Sequence, residues 1–282
     1  MEVITKINTM QERSDRMRRS GKTIVFVPTM GFLHEGHLSL IREGRKLGDD
    51  LVVSIFVNPT QFAPGEDFES YPQDLDRDIA LIRKEKADLI FFPNQKELYS
   101  TGFQTCVSQE KLPKHLCGLS RPTFFKGVTT IVVKLFNIVK PHIAIFGKKD
   151  YQQLVIIRRM VKDLNLDIKI IGGQTVRESD GLAMSSRNSY LTPEQRPVAL
   201  ALFNALNKAK ALLADGINDA AKIIAASSEL IKSHGNTVID YITICDPETL
   251  EDMKIIDRPA LMALAVNVGK ARLIDNMLLN PK

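Results

Sequence analysis

The chain has 282 residues and a mass of 31.6 kDa, with 44% hydrophobic and 25% charged residues. That is the balance of an ordinary globular protein, long enough for one large core or two smaller ones. The formal charge of +5 is dispersed, and with five tyrosines and no tryptophan the sequence lacks the basic–aromatic interleaving of a nucleic-acid binder. Apolar runs stop short of a membrane span, and the N-terminus lacks the apolar core of a signal peptide. Cys106, Cys117 and Cys245 form neither a disulfide framework nor a zinc knuckle, which sets the expectation of a reducing cytoplasm.

Residues 9–20 read as a surface helix ending at Gly21. A β-rich run, 23–27, is expected to stop at Pro28, cross the Met30-Gly31 turn and enter an amphipathic helix over 36–47, closed by Gly48. This is the strand, loop, helix order of a parallel βα unit. Two of the five histidines, His34 and His37, stand three positions apart at the loop–helix junction. If helical geometry begins by His34, both rings lie on one side of the first turn. The amides of that turn have no intrahelical partners and favour an anion. Two imidazole donors at such a mouth suit phosphate chemistry.

Residues 51–57 are almost continuously apolar, as in a central buried strand. Pro59 ends the run and leaves Asn58, Thr60 and Gln61 at the strand's carboxyl end, where ligands collect in open α/β sheets. An acidic, Gly- and Pro-containing loop leads to a helix from Asp74. There Asp74, Asp76 and Asp78 can supply one carboxylate to Mg²⁺ beside phosphates, or simply complement the helix dipole.

A further strand is expected over 87–92, then a loop over 94–123 with a short strand near 103–108. Residues 128–139 are β-branched, yet the spacing of Val128, Ile131, Val132, Leu135 and Ile138 indicates a helix. A strand over 142–147 precedes KKDYQQ, a periodic helix, and a strand over 167–173. A lysine at that strand end, Lys148 or Lys149, can neutralise charge developing on a phosphate.

Four to five buried strands alternating with helices imply a Rossmann-like doubly wound parallel sheet, without a dinucleotide glycine fingerprint or a GxxxxGK[ST] loop. The character then changes, and two domains are expected: 1–176, Rossmann-like, and 177–282, a smaller α+β domain. In the second, Thr192 is the expected N-cap, with Pro193 first in a helix running to about Leu213. A second helix over 220–233 and three strands follow. MSSRN, 184–188, offers two hydroxyls and a guanidinium, the makings of a triphosphate clamp.

PTMGFLHEGHLSLI, FVNPTQF, YPQDLDRD, RPTFFKGVTTIVVKLFNIVKP, FGKKDYQQL and DGLAMSSRNSYL, in that order, resemble the pantothenate synthetase (pantoate–β-alanine ligase) family over nearly the whole chain. The HxGH element alone resembles the wider nucleotidyltransferase superfamily. The resemblance implies ATP-dependent amide formation through a pantoyl adenylate, in a cytoplasmic homodimer without nucleic-acid or membrane partners. It places Met30, Gly31, Phe32, Leu33, His34, Glu35, Gly36 and His37 at ATP, with Gly147, Lys148, Lys149, Asp150, Val176 and Met184 also at the nucleotide.

His34, His37, Lys149, Ser185, Ser186 and Arg187 are its catalytic group, acting on the phosphates. Gln61 and Gln153, with Asn58 and Arg121, would hold substrate, and Asp78, with Asp76, would approach Mg²⁺. Two positions depart from relatives: Lys148 is often acidic, and Arg77 stands where some carry another carboxylate. The competing expectation is another HxGH enzyme that adenylylates a small phosphorylated substrate.

Overall fold

A computed structural model describes residues 1–235 and 237–281. They form two compact units, one of residues 1–110, 121–148 and 153–174, the other of 111–120, 149–152 and 175–282. The change of character near residue 176 marks only the last crossing between them. The short pieces 111–120 and 149–152 join the second unit through bonds that a linear reading does not reveal.

The first unit holds a six-stranded parallel sheet. Its strands are β1 (Glu2–Ile4), β2 (Ile24–Thr29), β3 (Asp50–Ile55), β4 (Leu89–Phe91), β5 (Ile143–Gly147) and β6 (Lys169–Gly173), in the order β1-β4-β3-β2-β5-β6. The principal helices of this part of the chain are α1 (Ile7–Arg19), α2 (Glu35–Arg45), α3 (Leu75–Lys84), α6 (Phe124–Val139) and α7 (Tyr151–Asp163); the short α4 (Gln95–Leu98) and α5 (Cys117–Ser120) interrupt the long loop. The expected doubly wound parallel sheet is therefore present, with one more strand, the edge strand β1, than the sequence revealed. No strand forms over 103–108.

Strand alternation divides the apolar residues between two layers. Ile24, Phe26 and Val52 join a core with Val128, Leu135 and Phe136 of α6, whereas Val25, Val27, Leu51 and Val53 meet Leu40 and Ile41 of α2. Both faces are covered, which is why the central strands read as unbroken apolar runs.

Pro28 does not end β2; the strand continues through Thr29. The reason lies in which way each residue turns its peptide groups. Thr23 and Thr29 offer their carbonyls to the β3 side, accepting from Asp50 and Phe56, while Ile24 bonds across to His142 on the β5 side. Pro28, even-numbered like Ile24, faces β5, where pairing has already stopped at Phe26. Its missing N–H breaks no ladder bond.

The Ile24 amide donates to Nδ1 of His142 at 2.9 Å. Burial, with the charge of Arg18 acting in the same direction, holds His142 below its ordinary pKa. A neutral acceptor with a depressed pKa contributes stability that is full above about pH 6.5 and is lost as pH falls through the folded value. His142→Asn, whose oxygen can accept without titrating, is expected to fall behind the wild type less at pH 5 than at pH 7.5 in urea midpoint. A constant offset between the two proteins would show that His142 contributes no such dependence.

The second unit holds α8 (Arg196–Ala214), α9 (Ala220–Lys232) and an antiparallel sheet of β7 (Thr237–Cys245), β8 (Ala260–Val268) and β9 (Ala271–Leu279) in that order. Its core joins Leu202, Leu206 and Ile223 to Leu264 and Val266. The regular helix α8 starts later than Thr192 and Pro193 suggested, with Gln195 at its N-cap. A first turn is present, since Arg196 donates to the Thr192 carbonyl, but Pro197 has no N–H with which to make the next bond. The ladder resumes with Ala199 donating to Gln195.

Candidate active site

The expected site residues are divided between the two units. In the first, sheet order reverses at β2 and β5, and the segment Met30–His37 and the pair Gly147-Lys148 stand at their carboxyl ends. Such a reversal opens the crevice in which α/β sheets bind ligands.

His34 is the N-cap of α2, and its Nδ1 accepts the Gly36 amide at 3.2 Å. Nδ1 of His37 accepts the His34 amide at 3.3 Å. The two rings lie 4.0 Å apart between centroids. This is a reciprocal capping arrangement built from imidazoles rather than the usual hydroxyl and carboxylate. An Nδ1 that accepts carries no hydrogen, so each neutral ring has its proton on Nε2 and can donate from there.

The turn before α2 is held from beneath by α3. Both oxygens of Asp78 accept main-chain amides, from Phe32 at 2.7 Å and Leu33 at 2.8 Å. Arg77 donates to the Leu33 carbonyl at 3.0 Å and its guanidinium lies 5.3 Å from the centre of the Phe32 ring. Gly31 has φ +83°, and a Cβ there would stand 3.1 Å from an Asp78 oxygen, so any side chain would strain the turn and crowd the carboxylate.

Asp78 is 1% exposed, and burial pushes its carboxyl above the usual value against the pull of the two amides and Arg77. Asp78→Ala is expected to destabilise the protein by about 2 kcal/mol. Two orphaned amides at roughly 1–3 kcal/mol each are partly offset by relief of a buried charge. Urea unfolding checks this. An unchanged midpoint in Asp78→Asn with a raised Mg²⁺ requirement would instead make the carboxylate a metal ligand.

Beyond β3, a 3-10 turn over Pro59–Gln61 brings Gln61 to Met30, with Nε2 3.0 Å from the thioether sulfur. Asn58 lies behind it and is fully committed. Nδ2 donates to Gln61 and to the Gly127 carbonyl, and Oδ1 accepts from Thr60 and Tyr99. All four of its bonding positions are used within the protein, and one of them holds Gln61. A Cβ on Gly127 would stand 2.1 Å from the Thr60 carbonyl oxygen, so α6 can reach this turn only through a glycine. Arg121 donates to both oxygens of Glu66 and to the Gln61 carbonyl, and stacks 3.9 Å over Phe124. Gln153 is half-buried near the start of α7.

The second unit carries the other residues. Lys149 is 19% exposed, with its ammonium 3.8 Å from Asp150. Gln152, in the first turn of α7, is buried; it accepts the Cys117 amide and donates to the carbonyls of Leu112 and His115. Those bonds bring the 111–120 segment to this unit. Val176 and Met184 meet, Met184 donating to the Val176 carbonyl at the base of a tight hairpin. Ser185 caps the next 3-10 turn by accepting from Arg187, and Ser186 is buried. Arg177 forks onto Asp275 at 2.6 and 3.0 Å and fixes the hairpin to β9.

Sequence reasoning passed over Asp275, Asn276, Thr29 and Tyr99 as supports, and assigned Arg77 no part in holding the turn. For Thr29 a signal was available, a hydroxyl directly before the Met30-Gly31 turn; its Oγ1 accepts the Gly31 amide. The others act through partners distant in sequence.

A doubly wound parallel sheet with a histidine pair capping the helix after its second strand defines the class, an α/β protein with an anion-favouring helix N-terminus at its sheet reversal. The family model described as pantoate-beta-alanine ligase matches residues 2–278, and the chain belongs to that family. It is 58% identical over 281 residues to a pantothenate synthetase of Desulfatibacillum aliphaticivorans, covering all of both chains. The crystal structure of pantothenate synthetase from Thermus thermophilus superposes with a TM-score of 0.95 at 41% identity over the whole of both chains. A pantoate-beta-alanine ligase from Francisella tularensis, solved with beta-gamma ATP and beta-alanine, gives 0.82 at 33% identity, covering 99% of this chain and 97% of that one.

Proposed function

We propose that the chain condenses pantoate with β-alanine in two steps driven by ATP. A pantoate carboxylate oxygen attacks the α-phosphorus as its bond to pyrophosphate breaks, giving pantoyl adenylate. The β-alanine amine then attacks the acyl carbon; the C–N bond forms, the acyl–oxygen bond to AMP breaks, and the amine proton passes to water. The observation that supports this reading best is the imidazole cap of α2. It puts two Nε2 donors at a helix N-terminus beyond the sheet's reversal, where developing phosphate charge is stabilised without a proton having to be transferred.

His34 and His37 donate to the phosphates in this proposal, and Lys149 neutralises charge on the α-phosphate. Ser185, Ser186 and Arg187 hold the remaining phosphate oxygens, and Gly147 to Asp150, Val176 and Met184 line the nucleotide. Gln61, Gln153 and Arg121 hold pantoate. Mg²⁺, when bound, neutralises phosphate oxygens. No group of three or more His, Cys, Asp or Glu among the described residues could hold a metal alone, which fits an ion carried largely by phosphate and water. Asp76, exposed in the first turn of α3, is the carboxylate that fits it best; Asp78 has only its remaining lone pairs to offer. No helix among the described residues is long and apolar enough to cross a membrane. Residence in the cytoplasm and a homodimeric state belong to this proposal.

The test is product analysis with ATP, Mg²⁺, pantoate and β-alanine, each omitted in turn. Pyrophosphate exchange into ATP is expected to need pantoate alone, and AMP release to need β-alanine as well. Exchange supported by a phosphorylated acceptor but not by pantoate would favour the other HxGH chemistry, which family membership already disfavours.

A further inference from the structure

We propose that Asn276 is a positioning residue for Lys149. Its Nδ2 donates to the Lys149 main-chain carbonyl at 2.8 Å. The amide's orientation follows from chemistry, because a carbonyl oxygen can only accept. This inference rests on the proposed role of Lys149 in adenylation.

Lys149 sits in a 3-10 turn, Lys148–Asp150, between a strand and a helix. Within the second unit, two side chains anchor the stretch 149–152. Gln152, buried, ties the start of α7 just after the turn to the 111–120 segment through three bonds, and Asn276 holds the Lys149 carbonyl from β9. The main chain of Asn276 is itself held. Its strand pairs with β8, Asn276 opposite Ala263, and its main-chain N–H donates to Asp275 Oδ1 at 2.8 Å.

The same Asp275 receives the fork of Arg177, which roots the hairpin leading to Met184, Ser185, Ser186 and Arg187. One dipeptide of the last strand therefore anchors the main chain beneath the lysine and the hairpin that leads to the hydroxyl–guanidinium stretch. A lysine ammonium ends a flexible four-carbon stem, so its placement depends on how firmly the Cα is held. Displacing a catalytic group by about 1 Å can cost on the order of 10²-fold.

With Gln152 still in place, Asn276→Ala is expected to slow pantoate-dependent pyrophosphate release in the first turnover by about 10- to 30-fold. Asn276→Asp, equal in size but with no hydrogen to give the carbonyl, is expected to do the same. The deciding measurement repeats both substitutions in a Lys149→Ala background. A residue acting through Lys149 adds less than about 2-fold there, whereas a general structural defect would multiply through unchanged. Equal factors in the two backgrounds, no loss when Lys149 is present, or failure of both variants to fold would each overturn the inference. If Lys149→Ala alone adenylates at the normal rate, the reading of the lysine fails instead, and the two failures remain distinct.

Discussion

Lys149→Ala is expected to slow the first-turnover formation of pantoyl adenylate about 10²–10³-fold, the effect of removing roughly 3–4 kcal/mol of transition-state stabilisation. Little stability should go with it. The ammonium is 3.8 Å from a half-exposed Asp150, and loosely paired, partly exposed charges contribute little to folding. The bonds that fix the turn run to the Lys149 carbonyl and the Gln152 amide, neither of which the substitution touches.

The loss should fall on kcat more than on the KM for ATP, because the charge on the α-phosphate and its leaving oxygen grows only on the way to the transition state. Supplied pantoyl adenylate should still be consumed by β-alanine far faster than the variant makes it. Lys149→Arg should recover only part of the rate, since a planar fork does not place its charge where an ammonium does. A normal first-turnover rate in the alanine variant would remove the lysine from the chemistry.

The sheet was legible because both of its faces are covered. Runs such as Leu51–Val53 in β3 have no polar side to obscure them, and the 3.6-residue spacing of α6 outweighed its β-branched composition. Other features depended on information a local pattern does not contain. β1 is three residues long and takes its identity from pairing with β4, some ninety residues away. Whether Pro28 ends a strand depends on which neighbour its nitrogen faces, a property of the assembled sheet. The start of α8 was displaced by Pro197, whose lack of an N–H outweighed a good cap at Thr192.

In the site, His34 and His37 could be found because both halves of the cap lie within one turn. Asp78 reads as an ordinary helix-start acid until its oxygens meet the amides of Phe32 and Leu33, more than forty residues earlier. Asn58 reads as a polar strand-end group until Tyr99 and Gly127 are seen to use it up. The residues proposed to touch ligands were visible as motifs, and those that hold them were not, because support is a matter of tertiary partners.

His37 performs two tasks with two nitrogens, and isosteric replacements can separate them. Nδ1 accepts the His34 amide and closes the cap; Nε2 carries the proton and donates to phosphate in the proposed reaction. Asn places an oxygen near the position of Nδ1 but has nothing at the distance of Nε2, while Gln reaches the distal position with an N–H and gives up the near acceptor. His37→Asn is therefore expected to melt with the wild type yet adenylate about 10²–10³-fold more slowly, the cost of one lost donor to the developing charge. His37→Gln should keep a rate at least tenfold above that of the Asn variant while losing about 1 kcal/mol of stability with the cap. His37→Ala should show both losses together. If proton donation by an imidazolium were required, Gln would be no better than Asn. Equal first-turnover rates for the Gln and Asn variants would refute the hydrogen-bonding role and leave His37 as the acid.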